Sequence, residues 1–409
     1  MTAHTHPHRF HDLSRRSLLG GSAALAIGGT LTVGSGMLPG GPNGLMPAAH
    51  AVEPPPRNVK AGAKAPGSVK GSTVTRLGNV TGPGVTTDVA MERTDIGIPA
   101  RCPDGRTLVV FGDSYASWYK PHQKQMSPTG LYAEPDQPAD QALSWSGAVG
   151  GDTAQQMLPE YRPEYSTKLP SDVITIGDTM YMQVWILKGW CNLDHTAVWK
   201  SSDNGATWEW TGAHWQKDEA EANNWLWTWD LHDDGYVYIY TSKYRGSPLY
   251  MRRVPHDRIG DKNAYETWGW TKENGWKWGQ EPSPILTADT HDKAGNLIKD
   301  GFGFGESSLR RFGDQWMFCS VINGKLQAYL LDEPWADLHA AKPVTLLEGA
   351  AYEEESATRM TSLYLGGIVP GGTVDDFQML VSQWVRAHEK VAPGGWPYWV
   401  ENFRFQNFF

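Results

Sequence analysis

Five pairs of short apolar strand patterns recur along the chain, punctuated by Gly and Asp, and no long amphipathic helical pattern separates them. They occupy residues 104–113, 177–187, 234–242, 312–332 and 377–384. β-Branched and aromatic residues between turn residues are typical of strands, and a regularly repeated sheet unit is typical of a propeller. The sequence therefore predicts an all-β fold, a five-bladed β-propeller, whose C-terminal strands (398–405) close the ring by joining the first blade. A β-sandwich with a second domain is the alternative.

The N-terminal segment has the pattern of an export signal. The pair Arg15-Arg16 precedes a Gly-rich, mildly apolar stretch that ends in a small-x-small sequence at residues 49–51. A membrane anchor is the alternative for this segment. A secreted or cell-wall-associated protein, exported through the twin-arginine pathway and free of the membrane after cleavage, is therefore expected. The predicted divisions are a twin-arginine signal peptide at 1–51, a linker or disordered arm at 52–72 and a single propeller domain at 73–409.

The composition limits the partners of the folded part. With 45 Asp and Glu against 36 Lys and Arg, the net charge of −9 argues against a nucleic-acid partner. The 20 Trp residues are an unusually large number, and Trp rings stack on the apolar C–H faces of sugars. The three Cys residues are widely spaced without a C-x-x-C, so we expect neither a metal nor another cofactor. These features favour a carbohydrate-active protein, which we expect to be a monomer.

A hairpin predicted around residues 94–115 brings two aspartates together. Asp104-Gly105 is a strong tight-turn signal, and β-prone residues lie on both sides of it. Folding the chain about Asp104 places Asp95 opposite Asp113, with Cβ atoms about 4.5–5.5 Å apart when the pairing is direct; a slip of one residue is also compatible with the pattern. Two carboxylates at the open end of a hairpin suit glycoside hydrolysis, which needs a proton donor and a base or nucleophile.

A second motif concerns the fold alone. Residues 201–208, SSDNGATW, fit the S-x-D-x-G-x-T-W pattern called an Asp box. In such a turn the Asp and hydroxyl side chains bond the backbone, the Gly takes a positive φ and the Trp packs beneath. We expect it on the outer side of a blade, without a catalytic role.

With these motifs and the later strands, the chain resembles glycoside hydrolase family 183, first catalogued as a domain of unknown function. The resemblance extends from about residue 79 to the C-terminus and implies a five-bladed propeller. It also implies an endo-D-arabinanase that hydrolyses α-D-arabinofuranosyl linkages within cell-wall arabinan of the arabinogalactan or lipoarabinomannan type, with inversion. The segments that carry it are TDIGIP (94–99), VVFGDSY (109–115), WKSSDNGATW (199–208), DGYVYIYTS (234–242), LYMRRV (249–254), YETWGW (265–270), GESSLRRF (305–312), LYLGGIVPG (363–371) and LVSQW (380–384).

The resemblance assigns the catalytic roles to the same pair of aspartates that the hairpin indicates. The family's two aspartates correspond to Asp95 in TDIGIP and Asp113 in VVFGD. An inverting pair lies about 6.5–9.5 Å apart and a retaining pair about 5–5.5 Å apart. Direct pairing of the two aspartates suits the shorter, retaining distance, and a one-residue offset suits the longer, inverting distance. The sequence leaves open which aspartate is the acid; the working assignment takes Asp113 as base and Asp95 as acid.

Four further residues are candidates for substrate binding, each with a structural alternative. Glu306 is a carboxylate that approaches the channel, or else forms a hairpin-edge ion pair with Arg310. Gln383 and Trp384 lie at the end of a strand. There they are expected to bind sugar hydroxyls and to stack on a sugar ring, and the alternative is that they pack in the core. Trp118, just after the FGD motif, is the better stacking candidate.

Two rival functions remain at this level. One is a different furanosidase or a sialidase-like hydrolase; a sialidase, which should have several Asp boxes and an arginine cluster, is disfavoured because the chain has only one good Asp box. The other is a non-catalytic carbohydrate-binding propeller, which would keep its Trp platforms but release no product.

Overall fold

The structure, a computed structural model, describes residues 59–118, 123–159, 165–189, 192–219, 224–243, 247–287, 290–291, 297–298, 304–384 and 398–409. The signal peptide predicted at 1–51 lies outside the described residues, as do residues 52–58 of the predicted linker. The described residues belong to one compact unit. No helix among them is long and apolar enough to cross a membrane.

The described chain is nearly all strand. The strands are β1 (Ala63–Pro66), β2 (Thr73–Asn79), β3 (Ile96–Arg101), β4 (Thr107–Phe111), β5 (Thr129–Ala133), β6 (Gly147–Ala148), β7 (Thr167–Ile176), β8 (Thr179–Leu187), β9 (Leu193–Ser201), β10 (Glu209–Gln216), β11 (Leu226–Leu231), β12 (Tyr236–Ser242), β13 (Tyr250–Pro255), β14 (Glu266–Thr271), β15 (Gly275–Trp278), β16 (Thr290–His291), β17 (Leu297–Ile298), β18 (Ser307–Phe312), β19 (Gln315–Ile322), β20 (Lys325–Leu331), β21 (Val344–Ala350), β22 (Arg359–Thr361), β23 (Leu363–Ile368), β24 (Asp376–Gln383) and β25 (Val400–Gln406).

These strands form five blades of a β-propeller, as the strand pattern predicts, and the short pair β16–β17 lies outside them. Blade I is β3–β6, blade II is β7–β10, blade III is β11–β15 and blade IV is β18–β22. Blade V has the order β1-β2-β25-β24-β23. The innermost strands of the blades, β3, β7, β11, β18 and β23, contact one another in a closed ring and line the channel.

Closure of the ring differs in detail from the prediction. The C-terminal strand β25 pairs with β2 and β24, so it completes blade V and does not join the hairpin blade. Strand β1, within the predicted linker, pairs with β2 along its whole length. The propeller sheet therefore begins at Ala63, ten residues before the predicted boundary. A ring closed by strands from both ends of the chain ties the first and last elements together without a free edge between them.

An ion pair between blades II and IV crosses the channel. Arg310 of β18 donates to both carboxylate oxygens of Asp172 of β7, at 2.6 Å and 2.8 Å. The Thr228 hydroxyl of β11 donates to the same carboxylate at 2.7 Å, so blade III joins the contact. Asp172 is only 1% exposed. These contacts join blades II, III and IV several residues beyond the starts of β7, β11 and β18.

The Asp box forms the predicted turn between β9 and β10. Asp203 accepts hydrogen bonds from the Thr207 backbone N–H at 2.9 Å and from the Thr207 hydroxyl at 2.6 Å. Gly205 has φ +85°, and the Trp208 indole donates to the Gly205 carbonyl at 2.9 Å. The turn also packs on blade I, because Asn204 accepts from the Asp104 backbone N–H at 3.1 Å. Its role is structural, as expected.

Candidate active site

The hairpin that carries both aspartates contains a bulge next to Asp95. Below it, Ile98 pairs with Val110; above it, Ile96 pairs with Phe111, so Gly97 is the extra residue. Ile96 has φ +70°, an unusual backbone conformation for a β-branched residue, and Gly97 has φ +93°. Strained bulges of this kind cluster near active sites, where they redirect a side chain.

The bulge shifts the strand register by one residue at the end of the hairpin that carries the two aspartates. The Gly112 backbone N–H donates to the Asp95 carbonyl at 3.1 Å, so Asp95 lies opposite Gly112 and not opposite Asp113. The predicted direct pairing is therefore wrong by one residue. The two aspartates still meet, because the Asp113 backbone N–H donates to Asp95 Oδ1 at 3.0 Å.

Asp95 is buried and held by a partner from the other end of the chain. Its side chain is 4% exposed, and the Tyr398 hydroxyl donates to its Oδ2 at 2.5 Å. Both carboxylate oxygens of Asp95 therefore accept a hydrogen bond, one from blade I and one from the residue that leads into β25. Both donors favour negative charge on the acceptor and so offset part of the cost of burying this carboxylate.

Asp113 lies closer to solvent and faces the neighbouring blade. Its side chain is half-buried, and the Thr167 hydroxyl donates to its Oδ1 at 3.3 Å. Thr167 is the first residue of β7, so the aspartate pair bridges blades I and II at the end of the channel where the lining strands begin.

Two tyrosines and an arginine surround the pair. Burial raises the pKa of Tyr398 well above its usual range, and the charges of Asp95 and Asp113 raise it further. Burial and the charge of Asp113 raise the pKa of Tyr115 to about 12, against the opposing effect of Arg93. The Arg93 guanidinium lies over both rings, 4.5 Å from the Tyr115 centroid and 5.5 Å from that of Tyr398. Both phenols therefore stay protonated at neutral pH, and Tyr398 donates its hydrogen to Asp95.

A buried hydroxyl cluster fixes the segments that carry the aspartates. Ser114 Oγ lies 2.7 Å from Thr94 Oγ1 and 2.8 Å from Thr129 Oγ1. Thr94 precedes Asp95 and Ser114 follows Asp113, so the cluster joins the two segments directly behind the carboxylates.

Glu306 lies at the same end of the channel. It is buried immediately before β18, and the Tyr364 hydroxyl of β23 donates to its Oε1 at 2.8 Å. The charge of Tyr364 in turn contributes to the raised pKa of Tyr398, which itself bonds Asp95. The alternative ion pair with Arg310 is wrong, since Arg310 binds Asp172.

The other three predicted binding residues have mainly structural surroundings. Gln383 is buried, and its side-chain N–H donates to Glu355 Oε1 at 2.8 Å. Glu355 also contacts Arg76 at 3.5 Å, so Gln383 belongs to a buried polar network of blade V. Trp384 is half-buried, and its backbone N–H bonds the Ser362 carbonyl at 3.1 Å. Trp118 is 3% exposed and offers little ring surface to a sugar in this conformation.

The family model described as a domain of unknown function, DUF4185, matches residues 81–404. The chain belongs to the DUF4185 family. This confirms the family that the motifs indicate, since that domain is the one later assigned as an endo-D-arabinanase family.

Relatives of this DUF4185 chain come from bacteria and fungi. An uncharacterised 35.9 kDa protein of Mycolicibacterium smegmatis is 26% identical over 344 residues, 80% of this chain and 96% of the relative. The notoamide biosynthesis cluster protein J' of Aspergillus versicolor is 26% identical over 306 residues, 66% of this chain and 79% of the relative. Among solved structures, a candidate hydrolase from Bacteroides ovatus is similar in fold, with a TM-score of 0.58 and 13% identity over 83% of this chain and 91% of that one.

Sequence reasoning missed several residues around the DUF4185 aspartates. Tyr398 and Tyr364 belong to blade V and Thr167 to blade II, and no local pattern links them to the hairpin. Tyr115 had a signal, because it lies two residues after Asp113 within the motif. Among the described residues, no group of three or more His, Cys, Asp or Glu is arranged to hold a metal ion.

Gly112 is the position where this DUF4185 site tolerates a side chain least. A Cβ added there would lie 2.4 Å from Asp95 Oδ1 and 2.6 Å from Ile96 Cδ1. We expect Gly112→Ala to displace Asp95 and to lower activity about 10²-fold, the cost of a displacement near 1 Å at reacting groups. The matched control is Gly147→Ala in the same blade, where an added Cβ meets nothing within 4 Å. Steady-state rates that are equal for the two variants would contradict the expectation.

Proposed function

We propose that the protein is an exported endo-D-arabinanase that hydrolyses α-D-arabinofuranosyl linkages of cell-wall arabinan with inversion and without a cofactor. The observation that carries the proposal is the Asp95–Asp113 pair at the open end of the propeller channel. Membership of the DUF4185 family and the propeller fold support it. The net charge of −9 is compatible with a neutral polysaccharide such as the arabinan of arabinogalactan or lipoarabinomannan.

The one-residue offset between the aspartates supports inversion. Asp113 is one position beyond the residue that faces Asp95, so its carboxyl group is further from Asp95 than a directly opposed residue would place it. An inverting enzyme needs this extra room, because a water molecule must fit between the base and the anomeric carbon.

The hydrogen bonds of Asp95 favour roles opposite to the working assignment. Donors from Tyr398 and from the Asp113 backbone occupy both of its oxygens, which suits an ionised base. Asp113 is more accessible, so it is better placed to reach the oxygen of a glycosidic bond. We therefore assign Asp95 as the base and Asp113 as the acid.

The proposed reaction balances with these two groups alone. Asp95 takes a proton from water while the water oxygen bonds to the anomeric carbon from the face opposite to the leaving group. The bond between that carbon and the glycosidic oxygen breaks, and Asp113 gives its proton to the leaving oxygen. Exchange of one proton with solvent then returns both carboxyl groups to their starting states. Tyr398 holds the base in place, and Glu306 lies buried at the same end of the channel, where the Tyr364 hydroxyl binds it.

Export through the twin-arginine pathway is part of the same proposal. A secreted or wall-associated enzyme meets arabinan outside the cytoplasm, which fits the leader pattern at residues 1–51.

The test is product release from purified D-arabinan by the wild type beside Asp95→Asn and Asp113→Asn. We expect short oligosaccharides from the wild type and almost no product from either variant, with all three proteins folded by circular dichroism. NMR of the first product should give the inverted anomer.

Two results would overturn the proposal. Binding of arabinan without product would support the non-catalytic carbohydrate-binding alternative, and release from a different furanoside polymer alone would change the substrate. Full activity in both Asn variants would remove the aspartates from the chemistry.

A further inference from the structure

A cavity of about 550 Å³ lies on blade II, outside the aspartate pair. This volume falls in the range of sites that bind small ligands or single sugar units. The described residues that line it combine aromatic rings with a few polar groups, chiefly Tyr165, Lys188, Asp194, Trp210 and His214.

The cavity adjoins the aspartate pair through one short segment of chain. Tyr165, in its wall, precedes Thr167 by two residues, and the Thr167 hydroxyl bonds Asp113. Two residues of extended chain span at most about 7 Å. A chain of sugars bound at the aspartates can therefore continue along the top of blade II into the cavity.

The polar groups of the cavity form one connected cluster. Asp194 accepts from Lys188 Nζ at 2.7 Å and from the Tyr165 hydroxyl at 3.2 Å, and it lies 2.8 Å from His195 Nδ1. Burial opposes its ionisation, but these three contacts prevail and lower the pKa of Asp194 to about 2. The carboxylate is therefore charged at neutral pH and Lys188 balances its charge, so the cavity presents fixed hydrogen-bonding groups.

An exposed Trp forms the outer wall. Trp210 is 52% exposed, although it belongs to strand β10, and its ring lies 5.4 Å from that of His214 at 61°. Between these residues the pairing of β10 with β9 shifts, and Gly212 in the shift has φ +99°. Such bulges redirect side chains. A large ring held in water beside polar groups is suited to stack on the C–H face of a sugar, because the hydroxyls at the sugar's edge can reach the polar groups.

We propose that this cavity is a distal subsite that binds a neutral furanose unit of the polysaccharide chain whose cleavable bond lies at Asp95 and Asp113. The inference rests on the proposed function and extends it, because a subsite remote from the cleaved bond makes the enzyme favour long chains over short ones.

The experiment measures binding and turnover as a function of chain length. Trp210→Ala is compared with Trp270→Ala, a control on blade III whose Trp is also 52% exposed. Each change is made in the wild type and in Asp113→Asn, which serves as the non-hydrolysing protein for calorimetry. The probes are D-arabinofuranosyl oligosaccharides of increasing, defined length.

We expect Trp210→Ala to weaken binding of the longest oligosaccharides about tenfold, the effect of losing one aromatic contact, and to leave the shortest unchanged. On polymeric arabinan its KM should rise with kcat unchanged, and Trp210→Phe should recover part of the loss. Trp270→Ala should match its parent throughout.

Equal behaviour of Trp210→Ala and Trp270→Ala at every length would overturn the subsite, as would a complete failure of Asp113→Asn to bind the oligosaccharides. Failure of the proposed function gives a different result. If the wild type releases no product but binds long oligosaccharides in a Trp210-dependent way, the cavity is a sugar site on a binding protein.

Discussion

Asp113→Asn should lose about 10²–10⁴-fold of its activity on arabinan, the usual contribution of a general acid, yet keep most of its activity on an aryl arabinan oligosaccharide. When the aryl group is nitrophenyl, the leaving nitrophenolate does not need to be protonated. An enzyme that lacks only its acid can therefore still cleave that bond. Asp95→Asn should fail on both substrates, because each reaction needs the base to activate water. The measurement is kcat/KM for the two variants on both substrates.

Two additions make this comparison decisive. Azide, which needs no base, should restore turnover of the aryl substrate by Asp95→Asn and yield a glycosyl azide. Asp104→Asn at the tip of the same hairpin is the matched control, since the Asp104 side chain bonds the backbone N–H and the guanidinium of Arg106 within its own turn. The reverse pattern, in which Asp95→Asn keeps the aryl reaction, would restore the assignment of Asp113 as base.

The residues of the hairpin explain why the sequence predicted the pair but not its register. Counting outward from Asp104-Gly105 gives the pairing of Ile98 with Val110 correctly, because turn and strand signals are local. The bulge at Gly97 packs closely against blade V. A Cβ at Gly97 would lie 3.1 Å from Val400 Cγ1, and one at Gly367 would lie 2.3 Å from the Gly97 carbonyl. A constraint imposed by strands hundreds of residues away leaves no local pattern.

The same reasoning separates the predictable from the unpredictable around the site. Strand content, blade number and the Asp box depend on local alternation and turn chemistry, and the structure confirms them. Tyr398 meets Asp95 only because β25 returns to complete blade V. The sequence offers Gln383 as a sugar-binding residue at a strand end, but the fold places it against Glu355, which also binds Arg76. Contacts that form when the ring closes depend on the order of the strands in the sheets, and strand patterns in the sequence do not determine that order.

Arg310→Met should destabilise the fold strongly, whereas Arg311→Met, at the next position, should barely change it. Removal of Arg310 leaves the charge of Asp172 buried without its partner, and breaking one side of a buried pair costs about 3–5 kcal/mol. Arg311 binds Asp233, whose side chain is exposed to water, so little is lost with it. Urea unfolding of the two variants beside the wild type measures both effects.

The loss of stability in Arg310→Met is limited by the hydrogen bonds that Asp172 keeps. Its bonds from the Thr228 hydroxyl and the Trp229 backbone N–H remain in Arg310→Met, so a folded but weakened protein is expected rather than an unfolded chain. Adding Asp172→Asn should recover part of the loss, because the neutral amide no longer needs a cation in the channel. Similar unfolding free energies for Arg310→Met and Arg311→Met would mean that the channel pair contributes no more than a surface contact. The Arg310–Asp172 pair lies several residues away from the strand starts that carry the aspartates. At temperatures where Arg310→Met stays folded, its activity should therefore be close to that of the wild type. That result would show that the ion pair stabilises the propeller without taking part in the chemistry.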